Sequence, residues 1–218
     1  MYKKIVLLIV LSPIAFKAYN QTAFKPETYF GVKVGGNVSM VSFDPSVDQG
    51  MSFGYVGGVS FKHISQKSLG VQLELNNLQC GWNEKLDSIN SYSRKLNYLQ
   101  IPFMTHVNTG KGKVRFVLNL GPYVSVLLFE TERINLIEGE EEKFYYNKGI
   151  GNSFEYGLCF GIGLSVNTTK GLFQFESRIS QSLSNIYKQE QESYFSSSKN
   201  QVLEVTLSYF PSFKKLKE

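Results

Sequence analysis

Apolar and polar residues alternate in eight stretches of this chain, at 29–43, 54–64, 68–83, 94–107, 114–129, 153–167, 172–183 and 200–210. Successive side chains on a strand point to opposite faces, so a period of two predicts a β-strand with one apolar face. The sixth stretch is the clearest. Phe154, Tyr156, Leu158, Phe160, Ile162, Leu164 and Val166 fall on one face; Glu155, Gly157, Cys159, Gly161, Gly163 and Ser165 fall on the other. The connectors also alternate. SQK at 65–67, NTGKGK at 108–113 and TTKG at 168–171 are tight, whereas 44–53, 84–93, 130–152 and 184–199 are long and polar. Closed membrane barrels have short turns on the periplasmic side and longer loops outside. The pattern therefore predicts an all-β, eight-stranded antiparallel up-and-down transmembrane β-barrel.

The minority face sharpens this expectation. It carries Lys33, Lys62, Glu74, Arg115, Glu155, Glu176, Arg178 and Glu204, four bases and four acids. In a soluble barrel the inward face is the apolar one, and turning the faces round gives a secreted, lipocalin-like ligand-binding barrel as the competing arrangement. In a membrane barrel the charged set faces the lumen. An eight-stranded interior is just wide enough to be filled by side chains, and buried charges persist when they neutralise one another. The expectation is a hydrogen-bonded network of these eight residues that closes the lumen. A narrow transport channel is the alternative.

Aromatic residues support the membrane arrangement. With strands running alternately up and down, Tyr29, Phe30, Phe61, Phe103, Phe116, Phe173, Tyr209 and Phe210 gather toward the short-turn rim. Phe43, Phe53, Tyr55, Trp82, Tyr92, Phe129, Phe154, Tyr156 and Tyr187 gather toward the long-loop rim. Two aromatic girdles are expected where a barrel crosses the bilayer interfaces.

The first residues, MYKKIVLLIVLSPIAFKAYNQ, place two lysines ahead of a short apolar run. This reads as a secretory signal peptide over 1–18, cut between 18 and 22, since a spanning helix needs about 20 apolar residues. The barrel domain then covers 29–210, followed by a short tail, 211–218. Removing 1–18 takes away three lysines, leaving 20 bases (23 − 3) against 18 acids, a balance of +2. That balance gives no support for nucleic-acid binding.

Candidate chemistry is sparse. His63 and His106 fall at strand ends near the short-turn rim, away from the outer leaflet where a surface-lipid hydrolase would act. Cys80 and Cys159 face inward from strands nearly across the ring, beyond the roughly 7 Å that a disulfide spans. Neither pair has metal-ligand spacing. Glu138, Glu140, Glu141 and Glu142 read as a solvated loop run, and the Ser/Gln/Glu-rich 188–199 as a flexible outer loop. The glycine pairs are not phosphate loops, because no helix follows them. No catalytic, cofactor or metal site is expected. The expected partners are outer-membrane lipid and proteins met through loops 130–152 and 184–199.

The segments YFGVKVGGNVSMVSF (29–43), LGVQLELNNLQCGW (69–82), LNYLQIPFMTHV (96–107), VLNLGPYVSVLL (117–128), FEYGLCFGIGLSV (154–166) and NQVLEVTLSYF (200–210) resemble the PorT-like, porin-family outer-membrane barrels of Bacteroidetes-type bacteria. LNYLQIP and LGPYVSVLL carry most of the specificity. The resemblance implies a non-enzymatic integral barrel of the cell outer membrane with no catalytic motif. One branch of that family is associated with secretion and gliding, and nothing in this chain selects it. The chain departs from the usual terminal aromatic, since PSFKKLKE follows Phe210.

Overall fold

The computed structural model describes residues 24–85, 90–136, 143–188 and 194–212. Eight strands follow in order: β1 (Glu27–Asp44), β2 (Ser52–Ile64), β3 (Leu69–Lys85), β4 (Ser91–Thr109), β5 (Val114–Asn135), β6 (Phe154–Asn167), β7 (Gly171–Ser182) and β8 (Ser197–Pro211). Each pairs antiparallel with its sequence neighbours, and β1 pairs with β8 to close the ring. This is the up-and-down barrel that the alternation predicts. The segment expected to be a signal peptide and the acidic run at 138–142 lie outside the described residues, as does the tail beyond Ser212.

Burial settles which face is inside. Along β6, Glu155, Gly157, Cys159 and Gly161 are buried while Phe154, Tyr156, Leu158, Phe160 and Ile162 are exposed. The same division holds on β7 and β8, where Glu176, Arg178 and Glu204 are buried and Phe175, Ile179, Leu203, Val205 and Leu207 are exposed. The soluble, inside-out arrangement is thereby excluded. An outer wall so uniformly apolar is stable only in hydrocarbon.

The aromatic girdles are smaller than depth alone predicts. Phe30, Phe61, Phe103, Phe116 and Phe173 are exposed at the short-turn end, and Phe53, Tyr55, Phe129, Phe154 and Tyr156 at the other. Phe43, Trp82, Tyr92 and Phe210 are instead buried within the ring, and Tyr187 is half-buried. Their strand parity explains this. Phe43 shares the face of Lys33, Trp82 that of Glu74, Tyr92 that of Arg94, and Phe210 that of Glu204.

Two local irregularities shape the ring. The β4–β5 turn is closed by Gly110 (φ 132°) and Gly112 (φ 85°), in a backbone region that side chains rarely adopt. Farther up the same pair, Asn97 faces Phe129 but Tyr98 faces Leu127, so Leu128 is an extra residue, a β-bulge. Below the bulge β5 turns its odd-numbered residues inward, among them Asn119, Tyr123 and Ser125. Above it Glu130 and Glu132 turn inward, and Thr131 and Arg133 outward. β5 continues past 129 to Asn135, so the first part of the predicted 130–152 loop is strand.

Candidate functional site inside the barrel

Six of the eight charged residues expected in the lumen converge in its lower half. Glu74 of β3 is the hub. It accepts hydrogen bonds from Arg178 Nη1 (2.8 Å to Oε2) and Nη2 (2.9 Å to Oε1), Lys33 Nζ (3.0 Å), Gln72 Nε2 (2.6 Å) and Asn76 Nδ2 (2.9 Å). Arg178 Nε also donates to Glu176 (2.9 Å), and Lys33 Nζ to Glu204 (3.3 Å). Glu176 is completed by Asn119 Nδ2 and Gln174 Nε2, each at 2.8 Å. Lys62 donates to Gln174 Oε1 and lies 4.5 Å from the centre of the Phe210 ring. Three bases and three acids thus balance, each no more than 2 % exposed. Gly161 leaves space for this packing, since a Cβ there would lie 2.1 Å from Glu176 Oε1.

The other two expected members stand apart. Glu155 sits one level higher, accepting from Tyr123 OH (3.0 Å) and from Asn200 Nδ2. Arg115 is half-buried at the short-turn mouth, beside Tyr29 and Lys113, and forms no salt bridge with a described residue. Its position explains this. It is the second residue of β5, below the level where the inner ring is closed. The single eight-member network expected from face parity is therefore a six-member one.

His106 is buried, with Nδ1 2.7 Å from Asn119 Oδ1, and His63 Nδ1 is 2.8 Å from Thr28 Oγ1 at the short-turn rim. Cys80 and Cys159 are buried free thiols. Among the described residues no group of His, Cys, Asp and Glu is placed to hold a metal ion.

A second cluster, at the long-loop end, was not expected from the sequence. Glu84, at the top of β3, accepts from Trp82 Nε1 (3.1 Å), Lys143 Nζ (2.7 Å), Tyr145 OH (2.9 Å) and Tyr146 OH (3.2 Å). Arg94 of β4 pairs with Glu130 (3.3 Å) and Glu132 (3.1 Å), and donates to Tyr187 OH and the Lys148 carbonyl, each at 2.6 Å. Tyr92 stacks on Tyr146 with ring centres 4.2 Å apart. Phe43, Trp82, Tyr145 and Phe195 continue an apolar layer with Val41, Leu96 and Ile186. Residues 143–150 thus fold inward over the mouth. Burial raises the Tyr145 and Tyr146 phenols above their usual range, with the Glu84 carboxylate adding to it. Burial likewise pushes Tyr187 up to about 12, against the opposing charge of Arg94.

The family model for the outer membrane protein beta-barrel domain matches residues 21–188. The chain belongs to that family. Membership places this β-barrel in the outer membrane. A comparison with curated proteins gives no match. Among solved structures, the barrel is similar to Ail, the attachment invasion locus protein of Yersinia pestis, solved with the heparin analogue sucrose octasulfate. Identity is 14 %, over 84 % of this chain and 99 % of that one, with a TM-score of 0.44. Neisserial surface protein A is 12 % identical over 85 % and 99 %, with a TM-score of 0.43. OprG of Pseudomonas aeruginosa is 11 % identical over 84 % and 91 %, with a TM-score of 0.39.

Proposed function

We propose that this outer-membrane barrel is a non-conducting, non-enzymatic protein that anchors and displays its long-loop cap to partners outside the cell. One observation carries the reading. β3 and β7 stand opposite each other in the closed ring, and Arg178 and Glu74 meet between them through two hydrogen bonds. A bidentate pair across the full width of an eight-stranded barrel, in an interior just wide enough for side chains to fill, supports a closed lumen. The Glu84 and Arg94 clusters add a second closure above it.

Outward from the cap stand Phe144 and Tyr194, more than half exposed, with ring centres 6.2 Å apart and Lys148 over Phe144. Exposed aromatics beside a cation suit a protein-binding surface, and they lie in the loops 130–152 and 184–199. Within the family we read the chain as PorT-like and of a Bacteroidetes-type bacterium, on LNYLQIP and LGPYVSVLL.

Planar-bilayer recording tests the closed lumen. The wild-type barrel gives no large, stable conductance. A steady open level in the wild-type protein would instead establish the narrow-channel reading.

A further inference from the structure

The two rims differ in charge. The three short connectors contain Lys67, Lys111, Lys113 and Lys170 and no acid. The four long connectors contain twelve acids against six bases. The strands add to the imbalance, because Arg115 stands half-buried at the short-turn mouth and Lys62 is buried behind it. All four turn lysines are exposed. The one described acid near them, Glu27, accepts a hydrogen bond from Tyr29.

Depth identifies what this ring of charge meets. Phe116 and Phe173, both exposed, lie three residues inward of Lys113 and Lys170 along their strands. At about 3.3 Å per residue along strands tilted by about 40°, the lysines stand roughly 7–8 Å beyond the aromatic girdle. Aromatic belts mark the border of the hydrocarbon, so the lysines reach the headgroup layer. Basic side chains at that depth attract anionic lipid within about one Debye length. The turns themselves are too short to form a protein-binding surface, and the lysines are spread around the ring between different strand pairs.

We infer that the short-turn rim is a phospholipid-binding collar, which holds the phosphate headgroups of anionic lipids in the periplasmic leaflet. The inference rests on the orientation proposed above, short turns to the periplasm, and is independent of whether the lumen conducts.

The test uses the full barrel in vesicles of phosphatidylcholine and phosphatidylglycerol, followed by gentle extraction and native mass spectrometry of the lipids that stay bound. The wild-type barrel retains phosphatidylglycerol several-fold above its share of the bilayer. Replacing Lys67, Lys111, Lys113 and Lys170 together with glutamine removes the enrichment and leaves heat-modifiable migration unchanged. Replacing them with arginine preserves it. No enrichment in the wild type, or equal enrichment in the glutamine variant, overturns the collar. Loss of enrichment with inorganic phosphate, but not with chloride at equal ionic strength, overturns it in favour of a discrete phosphate-ion site. Binding of an acidic polypeptide without lipid preference overturns it in favour of a protein partner. Orientation is read separately. A Lys111→Cys variant reacts with an impermeant maleimide only after the outer membrane is opened, and labelling in intact cells overturns the placement itself.

Discussion

Arg178 on β7 holds both carboxylate oxygens of Glu74 on β3, at 2.8 and 2.9 Å, between opposite walls of the ring. Neither residue is more than 2 % exposed. Removing one member leaves the other charged, buried and without its main counter-ion, at a cost of about 3–5 kcal/mol. Arg178→Leu or Glu74→Leu alone should therefore destabilise the barrel strongly. The double variant should recover much of that loss, because no uncompensated charge remains between those two positions. Urea unfolding in lipid, followed by the fluorescence of Trp82, the only tryptophan, measures both. A double variant no more stable than either single one would show that the pair is not the coupled unit described.

Gly161→Ala gives a second view of the same cluster. The new Cβ would lie 2.1 Å from Glu176 Oε1, so Glu176 must move away from Arg178 and Asn119. Overpacking of this kind costs about 1–3 kcal/mol. Gly36→Ala on the outer wall is the control, since its Cβ meets nothing closer than 3.8 Å. Equal unfolding midpoints for the two variants would contradict the packing.

What the sequence discloses about this barrel follows from the period of two. Six of the eight lumen charges, the outward apolar wall and the strand order were all legible, because each depends only on parity within an unbroken strand. The amides that complete the network, Gln72, Asn76, Asn119 and Gln174, lie on the same face, but charge was the signal that singled residues out and amides carry none. The Arg94 cluster was hidden for a different reason. Its partners Glu130 and Glu132 lie beyond the bulge at Leu128, where parity reverses. The Glu84 cluster depends on residues 143–146 returning over the mouth, a long-range contact that no local pattern records. For Phe43, Trp82 and Tyr92, depth points to a girdle but strand parity to the lumen, and burial follows parity.

Glu84 anchors the cap through four side-chain donors. Glu84→Ala leaves the Trp82, Tyr145 and Tyr146 donors without that acceptor, and each buried donor left unmade costs about 1–3 kcal/mol. The strands stay paired, so heat-modifiable migration persists while residues 143–150 loosen. A red-shifted Trp82 emission and faster proteolysis in that segment report the change. An unaltered emission would mean that the aromatic layer holds the cap without Glu84.

Alkaline pH probes the same cap. Tyr187 ionises at about 12, raised from 10.0 chiefly by burial. A folded value above the unfolded one means that the stabilisation is complete below the unfolded value and is lost as pH climbs through the folded one. Cap stability should fall between about pH 10 and 12, and the Tyr187→Phe variant should show a smaller fall. Absorbance titration of tyrosinate, alongside Trp82 emission, checks both.

Val205 tests the outer wall. It lies mid-strand on β8, opposite Gly36 and Ser177, and nearly half exposed. In hydrocarbon near the bilayer midplane, Val205→Arg costs about 2–4 kcal/mol. In detergent-free water the same change on a solvent face would cost little. Unfolding from phospholipid vesicles separates the two, and a near-neutral result there would place β8 away from the midplane.

The bulge offers the most direct test of how the upper cluster is built. Deleting Leu128 alone removes the bulge but keeps Glu132 opposite Arg94, with Glu130 and Glu132 still inward, and so serves as the control. Deleting Leu128 and Phe129 together shifts the upper strand by one residue, so Glu130 and Glu132 turn to the outer face and Arg133 turns inward opposite Arg94. Arg94 would then lose two carboxylates and gain a like charge, both unfavourable at a buried site. The lower network lies below the bulge and keeps its register, so the pairing of Arg178 with Glu74 should survive. The expected outcome is a folded, heat-modifiable barrel with an unlatched cap, read as faster proteolysis at 143–150. Adding Arg94→Met to the double deletion should restore part of the lost stability, because it removes the uncompensated cation. A cap as protected in the double-deletion variant as in the wild type would show that the inward facing of Glu130 and Glu132 is not what latches it.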